Sequence, residues 1–194
     1  MGIFSRSNES KLVDGVRKGN VVVVESLLKS GVNPNKQQEN HLVSIAVERN
    51  DYSCVELLLV NGACVDNGRT KSRLFFDAIR HGNCPMVKLL MKYSVTHKCQ
   101  NMRSLNGWKP IHWASYFGNV DILELLIQEN SSLNLNEMDN YGFSPLSIAA
   151  FFRHKRAKES LLAMGAHPDY YTSPLLPYPL AHFSDTESSD RLFN

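Results

Sequence analysis

The sequence predicts an all-α solenoid of stacked helix-turn-helix units. Two observations predict it: one pattern recurs five times in the 194 residues, and each copy carries apolar residues at helical spacing. The copies begin 31, 32, 36 and 35 residues apart and read GNVVVVESLLKSGVNPN (19–35), NDYSCVELLLVNGACVD (50–66), GNCPMVKLLMKYSVTHK (82–98), GNVDILELLIQENSSLN (118–134) and RHKRAKESLLAMGAHPD (153–169). A helix this short cannot bury its apolar stripe alone, so neighbouring units must stack.

The fourth unit indicates how each unit forms two helices. Pro110 suits the first turn of a helix, where a missing N–H costs nothing. Gly118 ends this helix, because glycine tolerates the left-handed conformation at a helix C-terminus. The second helix carries an apolar stripe formed by Ile122, Leu123, Leu126 and Ile127.

Short motifs in these units resemble a known family. Lys109-Pro110-Ile111-His112-Trp113-Ala114 and Ser144-Pro145-Leu146-Ser147-Ile148-Ala149 resemble the Thr-Pro-Leu-His-x-Ala start of the ankyrin repeat. The family's later signature, two leucines before Gly-Ala and Asp or Asn, is echoed by LLKSGVNPN (27–35), LLLVNGACVD (57–66) and LLAMGAHPD (161–169). The resemblance covers residues 8 to 169 and implies an ankyrin-repeat solenoid with connecting β-hairpin loops.

The resemblance also implies roles for single residues. His112 is expected to hydrogen-bond to backbone and to stabilise the turn between repeats, and Trp113 is expected to pack between adjacent repeats. Units one to three lack the Pro-Leu-His core, and Arg153 stands where the family usually has glycine. These departures affect local stability and turn geometry rather than the fold.

The expected organisation is a flexible N-terminus at 1–7, an ankyrin repeat domain at 8–169 and a tail at 170–194. The five repeats, numbered in chain order, are placed at approximately 8–35, 36–66, 68–98, 104–134 and 139–169. The tail contains prolines and an acidic Ser/Thr stretch, which is a composition typical of disorder.

Composition restricts the function classes. The 21 basic and 19 acidic residues leave a net charge of +2, too small to predict a nucleic-acid or membrane partner. No apolar run is long enough for a membrane span, no secretory signal is recognised, and the four cysteines are widely spaced. We therefore expect a monomeric intracellular protein in the cytoplasm, with the nucleus as the alternative location.

The sequence carries no catalytic or cofactor-binding motif. The serine-hydrolase elbow, the P-loop, the dinucleotide-binding glycine motif and the zinc-protease motif are all missing. His81 with Cys84 and His97 with Cys99 are close in sequence, but the two pairs are expected at opposite ends of a helix about 15 Å long. We therefore expect no enzyme activity, no cofactor and no metal.

A protein-binding surface is the function that the sequence favours. In ankyrin repeats, hairpin tips and the exposed end of the first helix line a concave groove, and repeats 4 and 5 place aromatic residues at seven of ten such positions. The ten are Leu105, Asn106, Trp108, Tyr116, Phe117, Asn140, Tyr141, Phe143, Phe151 and Phe152. Rigid aromatic side chains bury a large area at low entropic cost, as binding hot spots require. The alternative is that Phe151 and Phe152 pack under the tail.

A basic cluster and the tail support further hypotheses. The cluster consists of Arg153, His154, Lys155, Arg156 and Lys158. It is either a nuclear-import or anionic-lipid patch, or a solvated end of the solenoid. The tail has a P-x-x-P spacing at 174–177 and Ser/Thr residues at 184–189 that could accept phosphate.

The segment LLPYPL (175–180) resembles the close of a SOCS box, although the leucine-cysteine helix that precedes such a box is missing. The repeat pattern, the missing catalytic motifs and the aromatic residues of repeats 4 and 5 together predict a non-catalytic adaptor or scaffold that binds another protein through these two repeats. The alternative is a substrate-recruiting subunit of a ubiquitin ligase.

Overall fold

A computed structural model describes residues 7–36, 42–65, 70–93, 103–104 and 106–168. These residues form ten helices and contain no strand, which confirms the all-α prediction. The helices are α1 (Asn8–Lys18), α2 (Val21–Lys29), α3 (Leu42–Glu48), α4 (Tyr52–Val60), α5 (Thr70–Arg80), α6 (Cys84–Tyr93), α7 (Pro110–Phe117), α8 (Val120–Gln128), α9 (Pro145–Phe151) and α10 (Lys155–Ala163). No helix among these described residues has the length and apolar character needed to cross a bilayer. The predictions for 1–6, Leu105 and the tail lie outside the described residues.

Contacts divide the chain into an N-terminal unit that ends at Thr70 and a C-terminal unit that begins at Lys71. In the N-terminal unit, α1 packs on α2 and α3 on α4, and the two pairs stack through α1 on α3 and α2 on α4. In the C-terminal unit, the pairs α7–α8 and α9–α10 stack in the same way, and α6 packs on α8. Successive helix pairs therefore stack within each unit, as a repeat solenoid requires.

Local sequence sets the helix boundaries. Helices α7 and α9 begin at Pro110 and Pro145, and α7 ends at Gly118, whose φ is +67°. A short polar side chain precedes the second helix of the first two repeats. Asn20 accepts a hydrogen bond from the N–H of Val23, and Asp51 accepts one from the third residue of α4. Each side chain satisfies a donor that the helix leaves unpaired at its first turn.

The apolar stripes form the core, though not equally in every repeat. In repeat 4, the side chains of Ile122, Leu123 and Leu126 are buried and that of Ile127 is half-buried. In repeat 1, the side chain of Val23 is exposed because it lines an open groove between α1 and α2.

The loops expected to be β-hairpins are tight turns in the part of the chain that the structure describes. In repeat 4, the N–H of Ser104 donates to the carbonyl of Trp108 (2.9 Å). In repeat 5, the N–H of Asp139 donates to the carbonyl of Phe143 (3.0 Å). Each turn has one closing hydrogen bond of a hairpin but lacks the longer ladder that defines paired strands.

Candidate functional site

His112 joins repeat 4 to repeat 5 from a fully buried position. Its Nδ1 atom accepts a hydrogen bond from the N–H of Lys109 (3.0 Å), and its Nε2 atom lies 3.0 Å from the carbonyl oxygen of Glu137. The ring can make both bonds only when neutral, with the proton on Nε2. Burial lowers its pKa to about 4. His112 therefore has the backbone-bonding role that the ankyrin resemblance implies.

Trp108 and Phe143, two of the predicted groove residues, are buried, with 2% and 7% of their surface exposed. The Nε1–H of Trp108 donates to Asp139 Oδ2 (2.7 Å). Asp139 Oδ1 accepts from the N–H groups of Tyr141 and Phe143 (2.8 Å each). The expectation that Trp108 and Phe143 face an open groove is therefore wrong, because Phe143 lies at the base of the repeat 5 turn and the Trp108 indole of repeat 4 donates to Asp139 of that turn.

The predicted aromatic residues at the ends of α7 and α9 contact one another in an unbroken series that begins at buried aromatic residues of the core. The ring centroid of Trp113 lies 4.6 Å from that of buried Phe76, and Trp113 is itself buried, as expected for a packing residue. The Trp113 ring also contacts Tyr116 (6.2 Å) and Phe117 (6.5 Å). Tyr116 and Phe117, at the end of α7, therefore pack directly on the buried core residue Trp113.

Four rings continue this chain to the surface, and we call Tyr116, Phe117, Phe151 and Phe152 the ring surface. The centroid of Tyr116 lies 4.8 Å from Phe117 and 4.7 Å from Phe152, which in turn lies 5.1 Å from Phe151. Tyr116, Phe117 and Phe152 are half-buried, whereas 48% of Phe151 is exposed. Burial raises the pKa of Tyr116 above its ordinary value.

The other predicted residues lie at the turn tips rather than on the ring surface. The N–H of Asn140 donates to the carbonyl of Asn106 (3.1 Å), which joins the tips of repeats 4 and 5. Asn140 also lies against Gly107, where an added Cβ would clash with Asn140 Oδ1. Tyr141 is 47% exposed on the tip of repeat 5.

The basic cluster has two kinds of member. Arg153, Lys155, Arg156 and Lys158 are exposed, and Lys155 lies 3.8 Å from Glu159. His154 is half-buried, and its Nε2 atom lies 2.8 Å from the carbonyl oxygen of Tyr116. His154 therefore links the start of α10 to the end of α7, and the exposed charge comes from the other four residues.

The sequence does not predict the ion pairs that form between residues far apart in the chain. Lys109 Nζ lies 3.1 Å from Glu137 Oε1, and Arg103 pairs with the same carboxylate. Burial opposes ionisation of Glu137, but the hydrogen bond and charge of Lys109, together with Arg103, hold its pKa below the ordinary value. These partners are 28 to 34 residues apart, and no local pattern in the sequence indicates such a pairing.

No cluster of three His, Cys, Asp or Glu side chains that could hold a metal ion occurs among the described residues. His81 and Cys84 lie within the described chain, whereas His97 and Cys99 lie outside it.

Comparison with known proteins identifies the family. A model of ankyrin repeats in three copies matches residues 12–99 and 75–172. The chain belongs to the ankyrin repeat family. Ankyrin repeats are protein–protein interaction modules, and this family is generally non-catalytic.

Individual relatives share this repeat region. The chain is 36% identical over 96 residues to human "Ankyrin repeat and SOCS box protein 3", a match covering 49% of this chain and 18% of that protein. It is 28% identical over 155 residues to a putative ankyrin repeat protein of fowlpox virus, covering 77% of this chain and 19% of the viral protein. It is 30% identical over 129 residues to dog inversin, covering 65% and 12%. The matched region therefore spans less than a fifth of each relative.

Proposed function

We propose that this ankyrin repeat protein is a non-catalytic adaptor or scaffold that binds a partner protein through the ring surface of repeats 4 and 5. The observation that carries the proposal is the exposure of Phe151 at the end of an unbroken chain of ring contacts. The partner also contacts the turn tips of these repeats, which carry Asn106, Asn140 and the exposed Tyr141.

The ring surface suits binding because its rings are held from beneath. Tyr116 and Phe117 pack on buried Trp113, so their conformational entropy is already restricted before a partner arrives. A pre-organised surface loses less entropy on association than a flexible one. Exposed Phe151 then supplies apolar area that a partner can remove from water.

The proposal extends to the setting in which the protein acts. We place it as a monomer in the cytoplasm, with the nucleus as the alternative, and we expect neither nucleic acid nor a cofactor to be needed. The near balance of 21 basic and 19 acidic residues supports a protein partner over a nucleic acid.

Site-specific crosslinking tests the proposal. A photoreactive phenylalanine analogue replaces Phe151 in one sample and Val60, an exposed apolar residue of the N-terminal unit, in a matched control. We expect a partner to be crosslinked from position 151 and not from position 60. Phe151→Ser should then weaken binding of that partner by about 2 kcal/mol if Phe151 is a hot spot. Equal crosslinking from both positions, or unchanged affinity of the Ser variant, would reject the ring surface.

The second candidate function is a substrate-recruiting subunit of a ubiquitin ligase. The similarity to "Ankyrin repeat and SOCS box protein 3" favours it, although that match covers only 18% of the relative. The segment at 175–180 that resembles the close of a SOCS box lies outside the described residues. Co-purification with adaptors of the elongin type tests this candidate, and recovery that survives deletion of 170–194 would reject a role for the tail.

A further inference from the structure

We propose that the partner segment bound at the ring surface is acidic, and that Arg153, Arg156 and Lys158 select it beside Phe151. This inference rests on the proposed function and adds the chemical class of the partner. We call these three residues the cation edge.

The cation edge carries positive charge that the described part of the chain does not neutralise. Arg153, Arg156 and Lys158 are exposed, and none of them forms an ion pair with a described acidic residue. Asp121 lines the same recess of about 190 Å³ as Arg156 without lying within ion-pair distance of it. An incoming carboxylate therefore does not have to displace an internal partner to reach these cations.

Arg153 also occupies a backbone conformation that disfavours arginine. Its φ is +59°, in the left-handed region, where a Cβ crowds the following carbonyl. Repeats 1, 3 and 4 have glycine at the equivalent point, at Gly19, Gly82 and Gly118, with φ between +65° and +69°. Repeat 2 has Asn50, a residue type that tolerates this region better. Repeat 5 therefore keeps a cation next to the ring surface at a conformational cost.

The neighbouring charges are unfavourable for the fold in a second way. Lys155 and Arg156 are the first two residues of α10, where the helix dipole disfavours positive charge. No acidic residue lies in this first turn, and the preceding His154 makes no capping bond with its side chain. Local features that oppose stability and gather at one place are typical of functional surfaces.

Apolar and charged groups are adjacent along the chain. Phe151 and Phe152 come directly before Arg153, and Phe152 lies 4.7 Å from the Tyr116 ring. A segment with acidic side chains around an apolar anchor can place the anchor on Phe151 and its carboxylates on the cation edge. Opposite charge fixes the orientation of the segment, and ring contact supplies the buried area.

Anisotropy measurements on the full chain test the inference. The probe is a fluorescent peptide of alternating aspartate and glutamate with two central leucines, and its control is the same peptide with lysine at every acidic position. We expect the acidic probe to bind at least about tenfold more tightly than the control at low ionic strength, and the preference to shrink at about 0.15 M salt. Binding of both peptides with equal affinity, or of neither, would overturn the inference.

Matched glycine variants separate binding from stability. Arg153→Gly should raise the melting temperature, because glycine adopts the left-handed backbone conformation without strain. The same variant should lower the affinity for the acidic probe by about fivefold or more. Asn50→Gly, in the same conformation in repeat 2, should leave probe affinity unchanged. The double variant Arg156→Gln with Lys158→Gln should also lower the affinity for the acidic probe. Unchanged probe affinity in Arg153→Gly and in the double variant would overturn the cation edge.

Two other occupants of the cation edge, the chain's own acidic tail and an anionic membrane, would give different results in the binding assay. If the full chain with Asp185→Asn, Glu187→Gln and Asp190→Asn binds the probe at least about tenfold more tightly, the chain's own acidic tail is the occupant and the partner assignment is overturned. Binding to phosphatidylserine vesicles without binding to the acidic probe would overturn it in favour of a membrane. Suppose that a partner crosslinks at position 151 and yet binds the Arg153→Gly variant with unchanged affinity. That result would overturn only the inference that the partner segment is acidic, and the proposed function would still stand.

Discussion

Replacing Asp139 by alanine removes a carboxylate on which three N–H groups converge. Two of those donors, Trp108 Nε1 and the N–H of Phe143, belong to buried residues, and the third belongs to exposed Tyr141. In the variant, the Tyr141 donor can turn to water, whereas the other two remain buried without an acceptor. A buried unsatisfied donor costs about 1–3 kcal/mol, so we expect the two donors left by Asp139→Ala to lower the free energy of unfolding by about 2–6 kcal/mol.

Urea denaturation followed by tryptophan fluorescence measures this loss, because Trp108 itself reports on the site. Asp121→Ala is the matched control, since Asp121 is exposed in the first turn of α8 and contributes only about 0.3–1 kcal/mol through the helix dipole. Trp108→Phe removes one donor but leaves the turn bonds of Asp139, so its loss should be smaller than that of Asp139→Ala. A loss below about 0.5 kcal/mol for Asp139→Ala would refute the reasoning, because it would mean that the buried donors find other acceptors.

Three further predictions concern the joints between repeats and the core. Gly118→Ala should destabilise the fold by about 2 kcal/mol or more, because its φ is +67° and an added Cβ would lie 2.6 Å from His154 Nδ1; thermal unfolding measures the loss, and an unchanged melting temperature would contradict it. The pKa of His112 is about 4 in the folded state and about 6.5 when unfolded, so the unfolded chain binds the extra proton and the free energy of unfolding should fall by up to about 3 kcal/mol from pH 6.5 to pH 4. Denaturation of His112→Gln should show a flatter slope in this window, and an identical slope would show that His112 does not titrate as stated. Burial raises the pKa of the Cys54 thiol to about 12, so a thiol reagent at pH 8 should label exposed Cys64 first and reach Cys54 only on unfolding; early labelling of Cys54 would contradict its burial.

Repeat period and helix boundaries could be predicted because they depend on nearby residues. Proline at the first helical position and glycine after the last one restrict φ locally, and the structure places α7 between Pro110 and Gly118 accordingly. The apolar stripe of α8 is likewise set by helical spacing alone. Sequence could also indicate the backbone role of His112, through the family motif in which it stands.

The burial of individual rings could not be predicted in the same way. Trp108 and Phe151 are both aromatic residues of the C-terminal repeats, but 2% of one and 48% of the other is exposed. The Trp108 ring packs on Trp113 and Tyr116, and its buried indole N–H is satisfied by Asp139, which lies 31 residues away in the sequence. Phe151 ends α9, and within the described residues its ring contacts only the ring of Phe152. Such differences depend on neighbours that a local pattern does not identify.

Stability and binding are coupled in the C-terminal unit because the ring surface rests on the repeat joint. Tyr116 contacts Phe152 through its ring and receives the Nε2–H of His154 at its backbone carbonyl, so both contacts cross from repeat 4 to repeat 5. Shifting repeat 5 against repeat 4 would separate the rings and break the polar ties at His112 and Asp139 together. Because packed interfaces do not deform continuously, these buried ties fix the spacing at which the four rings are presented. Substitutions at the joint should therefore reduce partner affinity without contacting the partner, whereas Phe151→Ser should reduce affinity with little change in stability.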